Sequence, residues 1–123
     1  MLNVSYDKPR NVVTIEFIGT VTQADSDRFF IDVEHVLPKC GASFSILTDM
    51  SGLHKIEPVV KEGIARSMDL LNSRGVKKVV RVIPDPGKDI GFNILSIFHY
   101  DKDVKILTVD SREEAWERLG RLI

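Results

Sequence analysis

The chain has a single cysteine, Cys40, among 123 residues, so no intrachain disulfide and no thiolate metal cluster is available to it. That usage suits a reducing compartment, and a structural, half-buried thiol is the expected role. Charge of one sign is also missing: the formal net charge is −1, which gives no overall field to draw in nucleic acid or an anionic membrane. No apolar run is long enough to span a bilayer, and the first residues lack a basic stretch followed by an apolar one. The expectation is a cytoplasmic protein without stable membrane insertion. Asn3-Val4-Ser5 fits the glycosylation sequon, which without secretion has no chemical consequence. Internal repeats, low-complexity tracts and linkers are absent too, so residues 1–123 read as one domain.

Sites for common chemistries are equally scarce. No Gly-Lys-Ser phosphate loop, GxGxxG turn or Gly-x-Ser-x-Gly elbow occurs. The three histidines, His35, His54 and His99, lack the paired spacing that sets two ligands on one metal. Neither a cofactor nor a metal is implied, and an ordinary enzyme is not indicated. Phosphoaspartate chemistry would need carboxylates after the first long strand, where Phe17-Ile18-Gly19-Thr20 has none. Asp49, Asp85 and Asp110 follow three different strands and sit where turns and caps use aspartate. Arg74, Lys77, Lys78 and Arg81 form the densest basic stretch, without the interleaved aromatics that stack on bases, and read as a solvated edge.

What is present is a clean alternation of structural periods. Leu2, Val4 and Tyr6, then Val13, Ile15 and Phe17, recur every second residue around a Lys8-Pro9-Arg10-Asn11 turn, which predicts an antiparallel hairpin. Thr22 and Asp25 have capping-box spacing before a helix carrying Phe29, Phe30, Val33, Val36 and Leu37. Residues 44–48 predict a short strand that enters a loop over residues 49–57. Pro58 opens a second helix with Val60, Ile64, Met68 and Leu71 inward and Gly75 as its stop. Val79, Val80, Val82 and Ile83 predict a buried strand, residues 91–98 a third helix, residues 105–109 a last strand, and Asp110 or Ser111 a cap for a final helix with Ala115, Trp116, Leu119 and Leu122.

The order is ββαβαβαβα: an α/β fold with a mixed, mainly parallel five-stranded sheet and flanking helices. Partners of such sheets meet the loops at the carboxyl ends of the strands, which singles out the 49–57 loop.

The run Ser45-Ile46-Leu47-Thr48-Asp49-Met50-Ser51-Gly52-Leu53, with Arg74-Gly75-Val76-Lys77-Lys78-Val79-Val80 after the next helix, resembles the central part of a STAS domain. The ending from Ile106 to Trp116 is similar to the SpoIIAA-like, anti-sigma-factor-antagonist branch. The resemblance implies a regulatory protein that captures a protein partner. In the antagonists, a serine at the start of the helix after the central strand is phosphorylated by the partner kinase. Here that Asp-Ser pair falls on Glu57-Pro58, and proline has no hydroxyl, so the usual switch is not expected. Ser51 matches the Asp-Met-Ser-Gly turn instead, with Asp49 holding it as an Asx-type turn.

The expected binding surface is therefore Asp49, Ser51, Gly52, His54, Glu57, Pro58 and Lys61. Phe98 joins it, because the apolar residues between 92 and 100 exceed what one helix face buries. A homodimer is compatible with the same patch. The alternative reading is a small-molecule or lipid-binding protein, since the SpoIIAA-like branch also resembles the Sec14 fold.

Overall fold

A computed structural model of the chain describes residues 1–83 and 103–120. Alternating apolar residues make the hairpin of β1 (Leu2–Asp7) and β2 (Val12–Val21). Its turn is closed by Asn11 in the left-handed region, at φ 54°, a conformation that asparagine tolerates better than most residues. The Asn11 carboxamide accepts from the Tyr6 hydroxyl and from the Gly41 backbone N–H, tying the turn to the end of the next helix.

That helix, α1 (Gln23–Val36), starts with the expected capping box. Thr22 Oγ1 accepts from the Asp25 N–H, and the Asp25 carboxylate accepts from the Thr22 N–H. This arrangement stabilises a helix start by about 1 kcal/mol. The backbone hydrogen bond from Thr22 is also the main reason the Asp25 carboxyl titrates below the ordinary aspartate range. Pro38 ends α1 in a short 3₁₀ turn.

Then come β3 (Ser45–Ile56), α2 (Lys61–Ser73), β4 (Lys78–Val82), β5 (Lys105–Val109) and α3 (Arg112–Gly120). Gly75, at φ +94°, terminates α2 as expected. The strands pair in the order β1-β2-β3-β4-β5, with β1 antiparallel and the rest parallel. The residues expected to form a further helix, 91–98, lie outside those described.

Two cores result. Helices α1 and α2 cover one face over Val13, Ile15, Phe17, Phe44, Ile46 and Val79, whereas α3 covers the other over Leu47, Val80, Val82 and Val109. The first two helices meet closely at Gly63, where any Cβ would run into Ser26 Oγ. Glycine is needed there for helix approach, not for backbone freedom.

The basic stretch is not a solvated edge. Lys78 and Arg81 are buried, because β4 is an inner strand with both faces covered. Lys78 Nζ donates to the Arg118 carbonyl, 3.2 Å away in the last turn of α3, satisfying a group that helix ends leave open. Burial, then the positive charges of Lys105, Arg118 and Lys77, holds the Lys78 pKa below that of an ordinary lysine. Arg81 lies on the opposite face of β4 and reaches Thr108 Oγ1 at 3.5 Å. Arg74 and Lys77 are exposed, as expected.

Candidate functional site

The segment expected to be a strand of residues 44–48 and a loop of residues 49–57 is one long strand, Ser45–Ile56. The physical reason lies in its register. Glu16 pairs Asp49 but Ile18 pairs Gly52, and Gly19 pairs Leu53 but Thr20 pairs Lys55, so β3 holds one extra residue at each of two bulges. Each extra residue reverses the facing of the residues after it. Ile46, Met50, Leu53 and Ile56 consequently all pack towards the α1/α2 core although the last members are spaced three positions apart. A spacing of three hides a strand from a search for period two.

Only Ser45–Asp49 pairs with β4. Beyond Asp49, β3 continues along β2 and presents Ser51, Gly52, His54 and Lys55 to solvent. Glu57 comes next and is half-buried, its N–H donating to the Val21 carbonyl at 3.3 Å. Pro58 then opens a 3₁₀ turn, Pro58–Val60, that leads into α2 at Lys61. Pro58 and Lys61 are exposed, and so is Val59, at 67%. Six of the expected surface residues, Ser51, Gly52, His54, Glu57, Pro58 and Lys61, thus lie along one stretch from the end of β3 to the start of α2. Phe98 lies outside the described residues, as does Asp85.

Asp49 has a different place. It is 5% exposed, facing α3. Its Oδ1 accepts from the Ser51 N–H at 2.9 Å and from Ser51 Oγ at 2.6 Å, the Asx-type bond the sequence suggests, made here within a bulged strand. Its Oδ2 accepts from Arg112 at 3.3 Å, and the same guanidinium nitrogen reaches Glu16 Oε2 at 3.3 Å. Arg112 opens α3, where a cation opposes the helix dipole; two carboxylates from β2 and β3 compensate it. Ser111 Oγ accepts the Glu114 N–H and caps the same end. Asp49 therefore anchors the bulge to α3.

Sequence reasoning missed Glu16, Arg112 and Val59. The first two come from elements far apart in sequence, with no local signal. Val59 was legible in principle: of two consecutive valines at a helix start, only one can face the core, and Val60 does.

A groove of about 580 Å³ runs between β1 and α1, lined by Leu2, Val4 and Val36 together with Asp25, Arg28, Asp32 and His35. Its charged wall is poorly matched to an acyl chain. No helix among the described residues is long and apolar enough to cross a membrane.

No family model and no curated protein matches the sequence. Solved structures do match the fold. A Shewanella loihica protein with a SpoIIAA-like fold aligns at a TM-score of 0.73 and 12% identity, covering 97% of this chain and 92% of that one. Bacillus SpoIIAA in its phosphorylated form aligns at 0.66 and 13%, covering 97% and 99%. An anti-sigma factor antagonist from Mycobacterium paratuberculosis aligns at 0.60 and 13%, covering 98% and 93%. On these alignments the chain, with its five-stranded mixed sheet, has a SpoIIAA-like fold.

Proposed function

We propose that the chain is a non-catalytic module that captures a protein partner through the end of β3 and the start of α2. The observation that carries this reading is the exposed Pro58-Val59 step at the head of α2, flanked by Glu57 and Lys61 and continuous with Ser51, Gly52 and His54. An apolar centre with a charged rim is the usual composition of a protein-binding patch. Structural neighbours described as anti-sigma factor antagonists support the same class of function.

Neither Glu57 nor Pro58 has a hydroxyl, and the Ser51 hydroxyl is bound to Asp49. Capture at this surface is accordingly constitutive, without the serine switch at the head of α2. Phe98 belongs to the proposed surface on its sequence alone.

The test is affinity capture from an extract of the native host, comparing wild type with Val59→Glu and with Glu57→Lys/Lys61→Glu. One specific partner should be retained by wild type and weakened about tenfold or more in both variants, as expected when a central apolar contact or a rim charge pattern is reversed. Equal retention of that partner by all three proteins would refute the surface. Phe98→Asp, measured the same way, decides whether the surface extends to that residue.

A further inference from the structure

The first strand offers a second, separate surface. Met1 and Ile18 exchange two main-chain hydrogen bonds, Met1 N to Ile18 O at 2.7 Å and Ile18 N to Met1 O at 2.9 Å. In an antiparallel ladder such reciprocal pairs recur every second residue. Asn3, Ser5 and Asp7 therefore turn their backbone groups toward β2, and Leu2, Val4 and Tyr6 turn theirs outward. Among the described residues β1 ends the sheet, so three N–H and three C=O groups face outward along its edge. Edge strands are commonly guarded by lysine, proline or a bulge. The stretch Leu2–Tyr6 has no charged residue, no proline and no register shift, whereas the opposite edge strand β5 begins with an exposed Lys105.

The α1 flank beside this edge has a specific charge pattern. Asp25, Arg28, Asp32 and His35 line the groove along β1. In sequence, Asp25 and His35 lie symmetrically about Phe30, and so do Arg28 and Asp32. Each acid is thus mirrored by a base. Helix α1 returns antiparallel to β2 and hence runs parallel to β1, with Asp25 beside Met1. Val4 lies about 10 Å along the strand from Met1, and Phe30 about 7.5 Å along the helix from Asp25, at standard rises. The centre of the charge pattern and the centre of the outward-facing edge are therefore nearly level.

From this coincidence we infer that the chain forms a two-fold homodimer by antiparallel pairing of β1 with β1 of a second copy, centred on Val4. Val4 then faces Val4 of the other copy and Leu2 faces its Tyr6, each pair exchanging two main-chain hydrogen bonds. The two sheets join into one. On the helical face the two α1 flanks meet in opposite directions, placing Arg28 against Asp32 and Asp25 against His35 of the other copy. Isologous contacts require this kind of self-complementarity. Arg28 is available for it: its side chain is 82% exposed and only 3.9 Å from Asp32 of its own helix, a weak surface pair that exchanges readily.

The test is the solution mass by sedimentation equilibrium across the micromolar range. Wild type should approach twice the 13.9 kDa of the chain. Arg28→Glu alone or Asp32→Lys alone should weaken association about tenfold or more, since each sets like charges face to face twice across the axis. The double variant Arg28→Glu/Asp32→Lys should restore it. Val4→Pro, which removes an outward N–H at the centre of the seam, should abolish the dimer, with circular dichroism confirming that the sheet persists. A wild type that stays monomeric throughout overturns the inference, and an extended peptide that adds to β1 of such a monomer assigns the edge to another partner. A dimer indifferent to Val4→Pro and to both single charge reversals also overturns it.

Discussion

The two halves of β3 belong to one strand and have different surroundings. Residues Ser45–Asp49 lie between β2 and β4 with helices on both faces, and every one of them is buried. Beyond Asp49 the strand pairs with β2 through two bulges and exposes Ser51, Gly52, His54 and Lys55. The inner half is where the fold is held together. The outer half is where a long, well-supported strand is turned into a surface, and Asp49 is the joint between them.

The sharpest way to break this contrast is to damage the inner half. Leu47 is fully buried in the core under α3. Leu47→Ala should cost about 2–5 kcal/mol, the usual range for a leucine truncated in a packed core. Urea denaturation would measure it. A loss below about 1 kcal/mol would mean that α3 is not docked on this face.

The joint comes next. Asp49→Ala removes the partner of Arg112 and of the Ser51 N–H together. A cost of about 1–3 kcal/mol is expected for unpairing buried polar groups. Asp49→Asn keeps an acceptor for Ser51 and loses the ion pair, with Glu16 left to hold Arg112, so it should fall between alanine and wild type. If the two variants were equally stable, the ion pair with α3 would account for the role of Asp49 and the bond to Ser51 would contribute nothing.

A smaller effect separates the bulged strand from the turn that the sequence suggests. In a tight turn Gly52 would need a positive φ, and alanine would be strained. Gly52 does not have one, and an added Cβ would meet only the Phe17 carbonyl at 3.5 Å and Ile18 at 3.8 Å, ordinary contacts. Gly52→Ala should shift stability by about 0.5 kcal/mol or less, and a gain is in reach because alanine narrows the unfolded ensemble. A large loss, read from the urea midpoint, would restore the turn.

The fold was legible wherever a single period ran unbroken. The hairpin, the Thr22/Asp25 capping box, the Gly75 stop and the helix of Ile64 and Leu71 are local patterns, and each is found where the sequence puts it. Legibility failed where a pattern was broken or non-local. The bulges change the spacing of Met50, Leu53 and Ile56 to three and make a strand read as a loop. Lys78 and Arg81 look like surface residues because charge usually is, and only the order of strands reveals that β4 is covered on both sides. The Glu16–Arg112–Asp49 cluster joins positions 96 and 63 residues apart.

The smallest expected effect on stability is also the most informative about function. Glu57 and Lys61 flank the turn at the head of α2, and neither side chain is buried. Exchanging their charges in Glu57→Lys/Lys61→Glu moves no apolar group out of the core. It leaves intact the bond from the Glu57 N–H to the Val21 carbonyl, which belongs to the backbone. Surface changes of this kind stay within about 0.5 kcal/mol, a shift of a few degrees or less in Tm. Partner capture should nonetheless weaken, so stability and binding would separate in one protein. If Tm instead fell by as much as with Leu47→Ala, the charges at the head of α2 would be structural, and any loss of binding would result from unfolding. A variant that keeps its Tm and loses its partner separates the inner half of β3, which holds the fold, from the head of α2, which binds.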